Sequence, residues 1–235
     1  MLVKLDNYNE LKKDFVKDRY TDYEIGICIA KKFTPAWTVC NIGLQYINSI
    51  EVYKPFFKKI YGFEPDYSYE TILAHVNKQK YENVKLYNIA LGKCQENRAF
   101  WYLSKKDRSR TAIDPIKYLG ACGFNVDPNQ KYNDVTFDKR TIRTQTLDNI
   151  VYKDRIKNID LLKIDAEKED SRILMGSKKT IDRWRPVIQI ETVDPYAKDW
   201  LISENYVEAE FEDYVYEKNK KLDYWFIPKE RINED

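Results

Sequence analysis

Two apolar runs, each closed by an acid and separated by a helical stretch, constrain this chain more than any other feature. The first, Ile159-Asp160-Leu161-Leu162-Lys163-Ile164, runs into Asp165-Ala166-Glu167; the second, Pro186 to Ile190, ends on Glu191. Runs of this length read as strands buried on both faces. Between them Ile173, Leu174, Ser177 and Ile181 share one face of a helix. Glu167, Glu169 and Asp170 crowd its start and Lys178 and Lys179 lie further along, as the helix dipole favours. Strand, carboxylates, helix, strand, carboxylate predicts the edge of an open α/β sheet, where ligands bind beyond the carboxyl ends of the strands.

The rest of the chain extends the pattern. Trp37 to Ile42, Ile60 to Phe63 and Val84 to Leu91 read as strands, with helices over Gln45 to Lys59 (broken near Pro55) and Tyr67 to Lys80. Ala99 to Leu103 reads as an edge strand, and Thr141 to Leu147 alternates like another. A helix over Pro195 to Glu204 follows the central unit. Strands at Tyr206 to Phe211 and Leu222 to Ile227, flanking a polar turn at Lys218-Asn219-Lys220, predict a terminal antiparallel hairpin at the sheet edge. The alternation predicts a single α/β domain over residues 1–235 with a mostly parallel sheet. Met1 to Lys32 reads as amphipathic helix and turn, with a stripe of Leu5, Leu11, Phe15 and Val16, so residues 1–36 are expected to cover one sheet edge. Residues 104–138, holding Asp114-Pro115, Gly120, Gly123 and Asp127-Pro128-Asn129, lose the periodicity and are expected to form a lid or insertion.

Absences narrow the chemistry. His75 is the one histidine, which removes multi-histidine zinc sites; it falls inside a predicted helix, where a packing role outweighs a catalytic one. Cys28, Cys40, Cys94 and Cys122 are widely spaced and read as reduced packing thiols. Neither a P-loop nor a G-x-G-x-x-G is present among only 7 glycines. A net charge of +2 gives no global basic field for DNA. No apolar run approaches a membrane span, and the first ten residues lack a signal-peptide core, so a cytoplasmic protein is expected. The dense basic stretch Lys105-Lys106-Asp107-Arg108-Ser109-Arg110 is either a solvated loop or a clamp for a phosphate.

Glu64 closes the Ile60 to Phe63 run roughly 20 residues after Gly43, the separation at which nucleotide-binding α/β folds place an acid on a ribose. Further short motifs follow in order: Phe63-Glu64-Pro65, Asn88-Ile89-Ala90-Leu91-Gly92, Thr146-Leu147-Asp148, Lys163-Ile164-Asp165-Ala166-Glu167 with Asp170, Leu174 and Gly176, and Pro186 to Glu191. In this order and spacing the chain resembles the FkbM-type family of S-adenosylmethionine-dependent methyltransferases, from about Val39 to Glu191. The chain departs from the family pattern at three positions. Asn41 stands where the family has aspartate, Ile47 where it has its second glycine, and Lys168 where a glycine follows Glu167.

The resemblance implies the Rossmann-like fold of class I methyltransferases and O-methylation of a sugar, glycan or other hydroxylated small molecule, which could be phosphorylated. It implies S-adenosylmethionine as cofactor, held around Asn41, Gly43, Glu64, Asn88 and Ala90. Asp165 and Glu191 become candidates for the base or for substrate positioning, with Glu167 and Lys163 beside them. Glu167 with Asp165 could also hold magnesium, which suits oxygen-rich sites; the alternative is that Glu167 caps the helix. Tyr67, Tyr69 and Trp101 could stack on adenine or a sugar, though aromatics more often build core. Two other functions compete. RNA ribose methylation would use Lys163 and Asp165 as part of a Lys-Asp-Lys-Glu set, and a non-catalytic binding module would explain Asn41 and Ile47. Oligomeric state leaves no mark in the sequence.

Overall fold

Leu161–Ile164 and Val187–Ile190 are strands in the computed structural model, and every residue of both is buried. The structure describes residues 2–5, 21–35, 37–44, 47–107, 122–124, 134–211 and 223–232. Numbered along these, the strands are β1 (Leu2–Leu5), β2 (Thr38–Ile42), β3 (Lys59–Phe63), β4 (Val84–Tyr87), β5 (Asn97–Leu103), β6 (Phe137–Arg143), β7 (Leu161–Ile164), β8 (Val187–Ile190), β9 (Tyr206–Phe211) and β10 (Tyr224–Pro228). The helices are α1 (Thr21–Phe33), α2 (Asn48–Tyr53), α3 (Ser68–Gln79), α4 (Leu147–Lys153), α5 (Asp170–Met175), α6 (Lys178–Trp184) and α7 (Pro195–Ser203).

Eight strands form one sheet in the order β4-β3-β2-β7-β8-β10-β9-β1. All run parallel to their neighbours except β10, which is antiparallel to both β8 and β9. The near-continuous apolar strands follow from helices on both faces. On one face Ile25 and Ile29 of α1, Ile50 and Tyr53 of α2 and Ile72 of α3 pack with Val39, Leu161 and Val187. On the other, Ile150 of α4, Leu174 of α5, Ile181 of α6 and Leu201 of α7 pack with Cys40, Leu162 and Ile188. Asp160 ties the amino ends of β2 and β7, its Oδ2 accepting from the backbone N–H of Trp37 (3.1 Å) and Thr38 (2.9 Å) and from Asn158 Nδ2 (2.8 Å).

Several sequence expectations change. Leu2–Leu5 is not helix or turn but an edge strand parallel to β9, so β9 and β10 lie inside the sheet rather than closing it. The helix that follows lies over a face rather than an edge: residues 24–30 of α1 are all buried, as an all-round apolar helix must be. Leu11, Phe15, Val16 and the turn at Lys218-Asn219-Lys220 lie outside the described residues. Ala99 to Leu103 is no edge of the main sheet: among the described residues β5 pairs with β6 in a separate two-stranded ribbon, with one further bridge from Trp101 to Gly123. The strand expected over Thr141 to Leu147 ends at Arg143, because Thr146 starts a helix instead: its Oγ1 accepts from Asn149 N at 3.1 Å. The helix expected after Asp165 is two short helices broken at Gly176, where a Cβ would stand 2.1 Å from the carbonyl oxygen of Gly92. Ile173, Leu174, Ser177 and Ile181 still share the buried face. Asp148 restarts the path, accepting from Lys179 N (3.1 Å), Thr180 N (2.8 Å) and Thr180 Oγ1 (2.7 Å) at the head of α6. Among the described residues no helix is long and apolar enough to cross a membrane.

Candidate active site

Strand register lines up the site. Ile42 pairs with Phe63 on one side and Ile164 on the other, and Ile164 pairs with Ile190. The residues that follow these four positions are Gly43, Glu64, Asp165 and Glu191, so they emerge side by side at the carboxyl edge of the sheet. A cleft enclosing about 700 Å³, its open mouth included, lies over this edge. Gly43, Glu64, Ala90, Asp165 and Glu167 line it, with Phe63, Ile89, Phe100 and Phe124 as apolar wall. A few polar groups set in an apolar concavity of this size make an ordinary small-molecule site.

Gly43 is required by the backbone. Its φ is +83°, and a Cβ there would lie 1.7 Å from the carbonyl oxygen of Asp165, so the loop ends of β2 and β7 touch at a point no side chain could share. Glu64 is 6% exposed, and its Oε1 accepts from Asp66 N at 2.9 Å, which fixes the carboxylate at the end of β3. Phe63 beneath it stacks on Tyr87 at 4.6 Å between centroids. The other two expected cofactor residues do not reach the cleft. Asn88 is exposed and is not in its lining. Asn41 is fully buried within the sheet, in register with Gly62 and Lys163, and neither end of its amide has a hydrogen-bond partner among the described residues.

Lys163 and Asp165 project to the same face of β7, two residues apart, and meet: Nζ donates to Asp165 Oδ2 at 3.1 Å. Asp223, just before β10, places Oδ2 3.7 Å from the same ammonium and also accepts from Gln189 Nε2 at 2.5 Å. The Tyr23 ring of α1 lies 5.1 Å from Nζ. Burial alone would push Lys163 towards neutrality, but the carboxylates of Asp165 and Asp223 hold it protonated well above the usual ammonium range. Glu191 behaves oppositely. Burial, then the neighbouring Asp165, Glu167 and Asp170, push its carboxyl up to about 8, and it shares a hydrogen bond with Asp165. Lys163, held as the ammonium, and Glu191, which keeps its proton at neutral pH, thus flank Asp165.

The turn after β7 is tight. Glu167 and Lys168 have φ of +51° and +72°. Asp170 braces the turn: it is fully buried, its Oδ1 accepts from Ala166 N at 2.7 Å, and Thr192 Oγ1 donates to its Oδ2. Burial pushes this carboxyl up to about 6. Glu169, 2% exposed, receives both guanidinium arms of Arg98 from β5, and Arg98 lies 4.3 Å over the Phe124 ring. Arg172 of α5 pairs with Glu96 just before β5, so the ribbon is pinned to the start of α5 beside the cleft.

Of the segment expected to form a lid, residues 104–107, 122–124 and 134–138 are described, and Cys122, Gly123 and Phe124 line the cleft. Burial, with Asp66 beside it, raises the Cys122 thiol. Arg108 and Arg110 lie outside the described residues; Lys105 and Lys106 are exposed. Tyr67, Tyr69 and Trp101 are not in the cleft lining: Tyr67 packs on Leu103, and Lys139 lies 5.2 Å over Trp101. His75 pairs with Glu51 at 2.8 Å, away from the cleft. Among the described residues no group of three or more His, Cys, Asp or Glu side chains is arranged to hold a metal ion, and the cation beside Asp165 is Lys163. Sequence reasoning missed Asp223, Arg98, Glu169 and Phe124 as parts of this neighbourhood. Only Asp223 left a signal: an acid heading an apolar strand that, being antiparallel, begins at the edge where its neighbours end.

The family model described as Methyltransferase FkbM domain matches residues 41–225. No curated protein matches the chain significantly in sequence. Among solved structures, the methyltransferase FkbM from Methylobacillus flagellatus KT is 12% identical with a TM-score of 0.50; the match covers 93% of this chain and 57% of that one. This chain thus spans little more than half the length of that protein. An rRNA methylase from Streptococcus thermophilus is 11% identical with a TM-score of 0.45, covering 90% of this chain and 96% of that one. A precorrin-6y C5,15-methyltransferase from Geobacter metallireducens GS-15 is 12% identical with a TM-score of 0.42, covering 92% and 89%. At such identities the likeness is one of fold.

Proposed function

The chain belongs to the FkbM methyltransferase family, and from that premise we propose that it is an S-adenosylmethionine-dependent O-methyltransferase acting on a hydroxyl of a sugar, glycan or similar small molecule. Gly43, Glu64 and Ala90 are the residues of the cleft suited to the cofactor: a glycine turn at a strand end, a fixed carboxylate for a ribose, and a small side chain on the next loop. The cofactor, when bound, supplies the methyl group as an electrophile. The residues of this chain then have two tasks, holding the acceptor hydroxyl in line and removing its proton.

Asp165 suits both. It lines the cleft and is partly exposed, while Lys163 behind it supplies a fixed positive charge. Glu191 shares a hydrogen bond with the same carboxyl. The placing of Lys163, Asp165 and Glu191 side by side at the carboxyl edge, with Asp165 in the cleft wall, is the observation that carries the reading. Residues 104–138 serve in this reading as the lid of a single methyltransferase domain, since the described part of that segment contributes Cys122, Gly123 and Phe124 to the wall.

RNA ribose methylation finds less support, because the chain's 40 Lys and Arg nearly cancel its 38 Asp and Glu. The binding-module reading draws on Asn41, which is buried away from the cleft.

The test measures release of the demethylated cofactor over a panel of monosaccharides and oligosaccharides. Asp165→Asn should cut turnover by about 10²-fold or more, the scale for a general base, with cofactor affinity nearly unchanged. Normal turnover in the variant would remove Asp165 from the mechanism. Absence of calorimetric binding of the cofactor to wild type at millimolar ligand would favour the binding module.

A further inference from the structure

A second large depression lies on the outer helical layer. It is an open groove of about 1490 Å³ between α4 and α6. Lys153, Arg155 and Lys157, leaving the end of α4, face Lys179 and Arg183 of α6 across it. All five are exposed, and none forms an ion pair with another described residue. The acid among the described lining residues, Asp148, is engaged by the backbone and hydroxyl groups that start α6. Nearby Asp154 is occupied by Lys85 and Tyr87, both at 2.6 Å. The described lining of the groove thus sets five cations against one carboxylate, a local positive excess on a molecule whose net charge is +2.

Beside these cations Tyr152 is 87% exposed, a large aromatic face left open among the described residues, in a helix whose inner side carries Leu147, Ile150 and Val151. Tyr152 and Lys153 also line an adjoining depression that holds the amides of Gln95, Gln145 and Asn149. That depression shares Ile89 with the cleft. Cations and an exposed ring in the groove thus adjoin the side-chain amides of a second depression, which borders the wall of the cleft at Ile89.

We propose that this groove binds an anionic glycan chain, pairing its carboxylate or phosphate groups with the five cations and laying a sugar ring on Tyr152. Guanidinium and ammonium groups recognise such anions directly, and an aromatic face suits the C–H side of a pyranose. A single ring beside amides fits sugar hydroxyls better than it fits single-stranded nucleic acid, whose binding grooves stack successive bases on several aromatics. The choice of a glycan over other polyanions rests on the saccharide acceptor proposed above. A chain held in the groove would raise the concentration of its own hydroxyls at the cleft without any new contact there.

The probe is a fluorescein-labelled decamer of galacturonate, titrated with the full chain by anisotropy in the absence of cofactor, so that a failure of methyl transfer leaves the outcome readable. Wild type should bind saturably at 50 mM salt and weaken steeply by 200 mM, as paired charges require. Lys153→Glu with Arg155→Glu, and separately Lys179→Glu with Arg183→Glu, should each weaken binding by about tenfold or more. Tyr152→Ala should weaken it by about threefold or more. Calorimetric binding of S-adenosylmethionine should be the same in all variants. Absence of saturable binding, binding as tight as wild type in both charge-reversed variants, or stronger competition by a uridylate 20-mer than by unlabelled galacturonate would each overturn the proposal.

Discussion

Lys168→Gly should make the protein more stable, although it inserts the most flexible residue beside the site. Lys168 has a φ of +72°, in the left-handed region, and it does not close a helix there as Lys80 and Arg185 do. A side chain in that region costs about 1–2 kcal/mol relative to glycine. The greater freedom of glycine in the unfolded chain takes back about 0.4–1 kcal/mol. The net gain is about 0.5–1 kcal/mol, and in a domain of this size each kcal/mol moves Tm by about 2–4 °C. A rise of about 1–4 °C is therefore expected by calorimetry, with a matching shift of the urea midpoint. Lys168→Ala is the control, since it removes the same charge and keeps the Cβ, and it should show no such rise. If Lys168→Gly is no more stable than Lys168→Ala, the turn is not strained and the argument fails.

Three other outcomes are expected. Glu64→Ala should weaken S-adenosylmethionine by about tenfold or more, the loss of a charge-assisted hydrogen bond, as read by calorimetric titration; equal affinity would place the cofactor elsewhere. Glu191→Gln should flatten the pH dependence of stability. The folded carboxyl, at about 8, keeps a proton that the unfolded chain gives up near 4.5, so wild type loses stability as pH rises between these values. Asp170, at about 6, acts in the same sense over a lower range but is present in both proteins, so the advantage of Glu191→Gln in Tm should grow steadily from about pH 4.5 to about 8 and vanish below pH 4.5. Asp148→Ala should lower the urea-unfolding free energy by about 1–2 kcal/mol, the cost of a lost helix cap, without touching cofactor affinity.

Much of the site was legible because it depends on local pattern. A strand buried on both faces is mostly apolar, so its end is marked by the first acid after the run, and Glu64, Asp165 and Glu191 announced themselves in that way. Their alignment with Gly43 then follows from parallel pairing alone. The misplaced features depend on distant partners. Leu2–Leu5 is too short to declare itself, and it is a strand because β9 offers an open edge. Asn41 looked like a cofactor ligand from its position in a motif, but its side chain falls on the inner face of β2, one residue short of the cleft. Asp223 joins Lys163 because β10 inserts beside β8, which no periodicity in either strand encodes. Thr146-Leu147-Asp148 read as a strand end because a threonine that caps one helix and an aspartate that caps another look alike until both helices are in place.

The order of strands also sets a timetable. β1 is made first, yet its partner β9 follows about two hundred residues later. At about 5–20 residues per second of synthesis, that is roughly 10–40 s during which Leu2–Leu5 has no place to dock. The remaining parallel strands, β4 to β8, can assemble in that interval, leaving β8 with an open edge. β10 must then settle against β8 while pairing with β9 on its other side, and only afterwards does β1 find its seat. The same order places Asp223 at the head of the last strand to be made, so the charge around Lys163 is completed only when β10 joins β8.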